Sequence, residues 1–184
     1  VVDFRPKRVE PIRLESVCDR GCIFCALNYR RAADPDAIPY SEELTRDGVK
    51  ARIDRETNDA WPRLRERIMK LAAVADATAI SWCGTDAFSS VVFERALTLA
   101  HDLGFRDMNV QAPGTPLADR AYVDWLRQQG VSSVNLTAHA LSPELFDFVG
   151  GKAGAYRLFW SALENALAAG IGVNVEVPCV VTNA

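Results

Sequence analysis

The alternation of short apolar runs with amphipathic helical segments is the feature that most constrains the fold of this chain. Apolar residues recur every three or four positions in the helical segments, whereas the short runs are rich in valine and isoleucine. Gly104, Gly130 and Gly170 each follow a predicted helix, where a left-handed cap belongs. This alternation predicts an α/β fold with parallel strands and right-handed crossovers. The predicted strands are Pro11–Val17, Ala77–Cys83, Asp107–Ala112, Ser132–Ala138 and Gly172–Val181, and the predicted helices are Trp61–Val74, Ser89–Leu103, Leu117–Gln129 and Ala155–Ala169.

Two stretches carry further expectations about the fold. Val173–Val181 is mostly apolar, which predicts a strand buried on both faces, as parallel strands usually are. Ala26–Asp59 breaks the alternation with charged residues and prolines. We therefore expect a long loop or insertion over 26–59, with a short helix at Ser41–Leu44.

Composition and charge exclude several classes of protein. The 184 residues predict one domain spanning 1–184, with a formal net charge of -3. No apolar run reaches the ~18 residues of a membrane helix, so we expect no membrane partner. No basic patch dominates, so nothing indicates a nucleic-acid partner. Arg63, Arg65, Arg67 and Lys70 are interrupted by Glu66 and predict a solvated helix face.

Three cysteines lie within eight residues, at Cys18, Cys22 and Cys25, with the spacing C-x3-C-x2-C. They follow the first predicted strand, and parallel α/β folds bind ligands at the carboxyl ends of their strands. Three thiolates suit an iron–sulfur cluster and leave one iron of a four-iron cluster without a protein ligand. Structural zinc needs a fourth ligand, and no second C-x2-C or H-x3-H is present. An odd total of five cysteines argues against a disulfide framework and favours a cytoplasmic location.

With an aromatic residue, Phe24, directly before the last cysteine, this motif resembles that of the radical S-adenosylmethionine (radical SAM) enzymes. The resemblance runs from about Pro11 to Asn183. It implies a [4Fe–4S] cluster on Cys18, Cys22 and Cys25, with S-adenosylmethionine bound to the fourth iron and Phe24 shielding the cluster. The implied fold is a partial (β/α)6 TIM-type barrel. Because only five strands are predicted, we expect the barrel to be truncated after the fifth, with a sixth strand and a C-terminal region in the full protein.

Further residues match family positions that contact the cofactor. The Gly84–Ala87 turn resembles the family's Gly-Gly-Glu-Pro turn, with Asp86 as its acid, although Thr85 and Ala87 depart from the pattern. Asn135 aligns with a serine that contacts the cofactor. Arg157 ends a segment resembling Gly-x-x-Gly-aromatic-Arg, and a surface salt bridge is its competing interpretation. The cofactor-binding residues implied by the resemblance are Phe24, Gly84, Thr85, Asp86, Asn135 and Arg157.

Three more positions follow predicted strands and carry weaker expectations. Gly114 could lie near the cofactor ribose or form an ordinary turn, and Asn183 could contact a ligand or end a strand. His139 is a candidate for substrate contact because it lies at the functional end of the fourth strand.

The resemblance implies an enzyme that cleaves S-adenosylmethionine reductively to a 5′-deoxyadenosyl radical, which abstracts hydrogen from a peptide or small-molecule substrate. It also implies an external electron donor of the flavodoxin or ferredoxin type. Two alternatives stay open: a non-catalytic iron–sulfur or zinc-binding scaffold or redox sensor, and a family member that binds the cofactor without cleaving it. No residue is assigned a catalytic role, and the sequence does not indicate the substrate.

Overall fold

Five strands pair in sequence order, β1-β2-β3-β4-β5, into one parallel sheet. The computed structural model describes residues 8–14, 18, 20–25, 53–74, 77–84 and 86–178. Within those residues the sheet does not close, because β1 pairs only with β2 and β5 only with β4. The predicted α/β class is therefore confirmed, and the open sheet is consistent with a partial TIM-type barrel.

Helices alternate with the strands as the sequence pattern predicts. Three short turns of non-α helix, Glu56–Ala60, Ala87–Ser89 and Thr115–Ala118, precede longer helices. The strands are β1 (Arg8–Leu14), β2 (Ala77–Gly84), β3 (Asp107–Gln111), β4 (Val131–Thr137) and β5 (Gly172–Glu176), and the helices are α1 (Trp61–Ala72), α2 (Phe93–Asp102), α3 (Arg120–Gln128), α4 (Pro143–Gly150) and α5 (Ala155–Ala168).

The two faces of the sheet differ in polarity. Because side chains alternate along a strand, every second residue of the central strands points toward the helices. Trp82 of β2 packs there edge-on against Phe93 of α2, with ring centroids 5.9 Å apart. Each such buried side chain contributes roughly 1.5–3 kcal/mol of hydrophobic stabilisation. The fully buried strand residues on this face are Ile80, Trp82, Met108, Val110, Val134 and Leu136.

The helices bury one apolar stripe each and expose the opposite side. Leu64 and Ile68 of α1 are buried in the core, whereas the basic residues between them are exposed. Lys70 forms an exposed ion pair with Glu66 at 2.7 Å, which agrees with the predicted solvated face. Among the described residues, no helix has both the length and the apolar character that crossing a membrane requires.

Several predicted boundaries are wrong. β1 begins at Arg8 rather than Pro11, and 15–17 lie outside the described residues. β5 ends at Glu176, before Pro178, which cannot donate to a strand ladder. Val175 is 45% exposed, so the expected burial of this strand on both faces is also wrong. The reason is that β5 is the outer strand of the described sheet. No further strand pairs with its outer edge among the described residues.

The loop interpretation of 26–59 is wrong over 53–59, which are helical, and the rest of that stretch lies outside the described residues. Glu56 in this segment is 3% exposed and accepts hydrogen bonds from Ser90 Oγ and the backbone N–H of Val91, both at 2.9 Å. Its carboxylate thereby ties the segment to the turn before α2, a constraint that local sequence does not reveal. The expected helix at Ser41–Leu44 lies outside the described residues.

Candidate functional site

The loops that follow the strands meet at one edge of the sheet, because all five strands run in the same direction. The cysteine loop, described at residues 18 and 20–25, lies beyond β1. Asp86 follows β2, Gly114 follows β3, and His139 follows β4. The structure therefore places these predicted site residues at the carboxyl ends of adjacent strands.

All three cysteines of the motif are in the thiol form, outside any disulfide, and have intermediate exposure. A tight turn closes the second half of the motif, with the Cys25 N–H donating to Cys22 O at 3.1 Å. Cys83, outside the motif, donates to Ile12 O at 3.7 Å within the sheet. The motif cysteines instead lie on a loop, where Cys22 Sγ contacts Nε2 of His139 at 3.6 Å and Gly150 O at 3.8 Å.

The cysteine loop is docked on the C-terminal end of α4. The Gly21 N–H donates to Gly150 O at 3.2 Å, and the Ile23 N–H donates to Val149 O at 3.1 Å. The last carbonyls of a helix have no partner within the helix, so α4 offers acceptors that the loop satisfies. The loop therefore takes its conformation from an element that follows it by more than 120 residues.

A glycine pair makes this docking possible. Gly151 caps α4 with φ +61°, a left-handed conformation, and a Cβ atom there would overlap the Gly21 carbonyl. A Cβ at Gly150 would lie 2.7 Å from Cδ2 of His139. Both positions therefore require the absence of a side chain.

His139 packs beneath the cysteine loop rather than facing open solvent. Its side chain lies between the rings of Phe24 and Phe146, at centroid distances of 5.5 and 5.1 Å. Nε2 lies 3.6 Å from Cys22 Sγ. Burial, with the nearby charge of Arg20, lowers the pKa of His139 to about 4, so the ring is neutral at pH 7.

Two charged groups brace the same region. Arg20, only 5% exposed, donates from Nη2 to Thr115 Oγ1 at 3.3 Å and links the loop after β1 to the one after β3. Asp147 of α4 accepts from the backbone N–H groups of Tyr156 and Gly154, at the start of α5. Those hydrogen bonds, that of Tyr156 foremost, hold the pKa of Asp147 below its usual value.

The turn after β2 is organised by a close approach to β1 and by the side chain of Asp86. Gly84 has φ +140°, which side-chain-bearing residues rarely adopt, and a Cβ there would overlap the Leu14 carbonyl. Asp86 is 2% exposed and accepts from Phe88 N–H at 3.1 Å and Ser89 Oγ at 2.6 Å. Asp86 thus caps the short helix that follows it. Thr85 lies outside the described residues.

Asn135 belongs to a ladder of amides across the polar face of the sheet. Its Oδ1 accepts from Asn109 Nδ2 at 3.0 Å and from Asn174 Nδ2 at 3.1 Å. Its own Nδ2 donates to Glu176 Oε1 at 3.4 Å. Arg157 is exposed on the first turn of α5. Cofactor contacts of Asn135 and Arg157 stay predictions.

The side chains of the cysteine loop agree with the cluster that the motif implies. Over the described ranges, no three His, Cys, Asp or Glu side chains converge on a point where they could hold one metal ion. A four-iron cube binds each thiolate at a different iron, so its ligands need not converge on one point. Three partly exposed thiols on one docked loop fit such a cluster in donor type and number.

Sequence reasoning missed the residues that support the cysteine loop. The sequence placed Gly150 and Gly151 only in the segment that ends at Arg157, and it predicted His139 only as a substrate contact. Two adjacent glycines at a helix end were the available signal, since they indicate a close backbone approach. Their partner could not be read from local pattern. Asn183 lies outside the described residues.

Comparison with known proteins agrees with this arrangement. No curated protein matches the chain. The family model described as the radical SAM superfamily matches residues 14–183, which is nearly the whole sequence. The chain therefore belongs to the radical SAM superfamily.

Proposed function

We propose that this protein is a radical SAM enzyme that holds a [4Fe–4S] cluster on Cys18, Cys22 and Cys25 and binds S-adenosylmethionine at the open iron. Membership of the superfamily supports a radical SAM-type enzyme. The observation that carries the finer proposal is the cysteine loop, which presents three partly exposed thiols at the carboxyl edge of a parallel sheet. The substrate class is a peptide or a small molecule, and the electron donor is of the flavodoxin or ferredoxin type.

When bound, the cluster supplies the electron that cleaves S-adenosylmethionine to methionine and a 5′-deoxyadenosyl radical, which abstracts hydrogen from the substrate. The protein's part is to orient the thiols and limit water. The backbone hydrogen bonds from Gly21 and Ile23 to α4 fix the loop. Phe24, half-buried on His139, covers one side of it.

The cofactor-side residues in this proposal are Gly84, Thr85, Asp86, Asn135 and Arg157. Gly84 brings the turn after β2 close to the backbone of β1 at the edge where the cysteines lie. A carboxylate attracts an ammonium group such as that of methionine. Because Asp86 already caps a helix, it would share its carboxylate between the cap and the cofactor.

The test is anaerobic reconstitution with iron and sulfide, followed by product analysis with S-adenosylmethionine and dithionite. We expect about four irons per chain and the release of 5′-deoxyadenosine. Replacing Cys18, Cys22 and Cys25 together by Ala should abolish both. Cys83→Ala is the matched control, because it removes a free thiol outside the motif and should preserve both.

Failure of the wild-type protein to bind a four-iron cluster would refute the proposal. A cluster that binds S-adenosylmethionine without releasing 5′-deoxyadenosine would instead favour the non-cleaving alternative, for which the altered Gly84–Ala87 turn is the structural reason. Tetrahedral zinc in place of iron would favour the scaffold alternative, to which no described contact points.

A further inference from the structure

We propose that His139 donates a hydrogen bond from Nε2 to the Cys22 thiolate and thereby raises the reduction potential of the cluster on the cysteine loop. The inference rests on the proposed function, since it assumes that a cluster binds there. It assigns His139 as a positioning and tuning residue, not a catalytic one. It also replaces the substrate contact expected from its place after β4.

His139 lies close to Cys22, and its ring is tightly packed. Nε2 of His139 lies 3.6 Å from Cys22 Sγ, a separation suited to a hydrogen bond to the large sulfur atom. The ring is held between Phe24 and Phe146 and is 8% exposed. Gly150 borders its Cδ2 edge so closely that no side chain fits between them. The imidazole therefore has little freedom to turn away from the sulfur.

The direction of the hydrogen bond follows from the other ring nitrogen. Nδ1 is buried and has no hydrogen-bond partner among the described residues. A proton on Nδ1 would bury an unsatisfied N–H donor, which proteins rarely tolerate, whereas a bare acceptor lone pair there costs less. The proton therefore belongs on Nε2, where it points at Cys22. The contacts of the two ring nitrogens thus assign the tautomer.

The effect on the cluster follows from charge. A cluster ligand is a thiolate, which can only accept a hydrogen bond. Reduction adds one negative charge to the cluster and its sulfurs, so a donor at Cys22 stabilises the reduced form more than the oxidised form. Hydrogen bonds to the sulfurs are an established means by which proteins set cluster potentials. Removal of the donor should therefore make the cluster harder to reduce.

The first experiment is an EPR-monitored redox titration of the reconstituted protein without S-adenosylmethionine. His139→Leu removes the donor, and His139→Gln retains an N–H donor on a side chain of similar reach. At a fixed applied potential, we expect about a tenfold lower reduced-to-oxidised ratio for His139→Leu, or about 59 mV for a one-electron couple. We expect His139→Gln to recover most of that change. The chain has one other histidine, so His101→Gln is the matched control and should leave the potential unchanged.

A second measurement does not depend on a variant folding or loading its cluster. Pulsed EPR of the reduced wild-type protein, labelled with ¹⁵N-histidine, should show weak coupling to one nitrogen, together with an exchangeable proton. The coupling should persist in His101→Gln. No coupling, or the strong coupling of a nitrogen bound directly to iron, would overturn the inference. So would a potential of cluster-loaded His139→Leu equal to that of the wild type.

Different results would refute the proposed function and the role of His139. A wild-type protein that binds no four-iron cluster refutes the proposed function, and with it the premise of the inference. A wild-type protein that binds the cluster and releases 5′-deoxyadenosine, but shows neither the coupling nor the potential difference, refutes only the role of His139.

Discussion

The cysteine loop and the turn after β2 lie at the same edge of the sheet, but they are held in opposite ways. The cysteine loop is fixed by α4 and by the segment after β4, and its thiols remain partly exposed. The turn is fixed by the approach of Gly84 to the Leu14 carbonyl of β1 and by the Asp86 carboxylate, which is 2% exposed and caps the next helix. The cap thus accounts for the acid without any ligand, whereas three thiols within eight residues are the donor set of an iron–sulfur cluster. The thiols are therefore the stronger evidence for chemistry at this edge.

The largest effect on stability should come from a side chain at Gly84, where the turn after β2 approaches β1. Gly84→Ala combines a backbone conformation at φ +140° with an overlap against the Leu14 carbonyl, so we expect a loss of about 3 kcal/mol or more in the free energy of unfolding. Gly104→Ala is the control, because φ is +100° but no atom lies within 4 Å of the added Cβ. Urea denaturation of both variants measures the difference, and equal losses would show that the overlap is relieved.

The next effect should come from separating the cysteine loop from α4. Gly151→Ala adds left-handed strain and an overlap with the Gly21 carbonyl, for a combined cost of about 2 kcal/mol, and should lower the iron bound after reconstitution. Gly154→Ala adds similar strain at φ +76° with no neighbour within 4 Å, so we expect about 1 kcal/mol and full iron content. Equal iron content in the two variants would contradict the proposed dependence of the loop on α4.

A smaller effect should come from substitutions of Asp86, which distinguish its role as a helix cap from its predicted contact with the cofactor. Asp86→Ala removes the acceptor and should cost about 1 kcal/mol, whereas Asp86→Asn keeps a good capping group. If the charge also binds the cofactor ammonium, Asp86→Asn should weaken S-adenosylmethionine binding in the cluster-loaded protein with little change in melting temperature. An unchanged stability of Asp86→Ala would argue against the cap, and unchanged binding by Asp86→Asn against the contact.

The smallest effect is a pH dependence of stability that comes from Asp147, whose carboxylate joins α4 to the start of α5. Hydrogen bonds from Tyr156 and Gly154 lower the pKa of Asp147 in the folded state, so its ionised form stabilises the fold. That stability is fully present above the ordinary carboxyl pKa of about 3.9 and is lost as the pH falls through the lowered value. The stability difference between the wild type and Asp147→Asn should therefore narrow in acid. Denaturation midpoints of both proteins at several pH values measure this difference. A difference that widens in acid would show that folding does not lower the pKa of Asp147.

The elements of the fold were largely predictable because strand and helix periods are local signals. The confirmed parallel arrangement of the strands follows from the alternation of strands and helices along the chain. α4 was missed although Ser142 and Pro143 form a capping residue and a first-turn proline, because the helix is only eight residues long. The contact of His139 with Cys22 spans 117 residues of sequence, so no local pattern indicates it.

The docking of the cysteine loop also has a consequence for the order of folding. The thiol of Cys22 and its acceptor at Gly150 are separated by 128 residues, and contacts of such long range form late because a large loop must first be closed. During synthesis the three cysteines leave the ribosome long before α4 exists to receive their loop. Cluster insertion should therefore follow completion of the fourth βα unit, and the nascent chain carries reactive thiols until then.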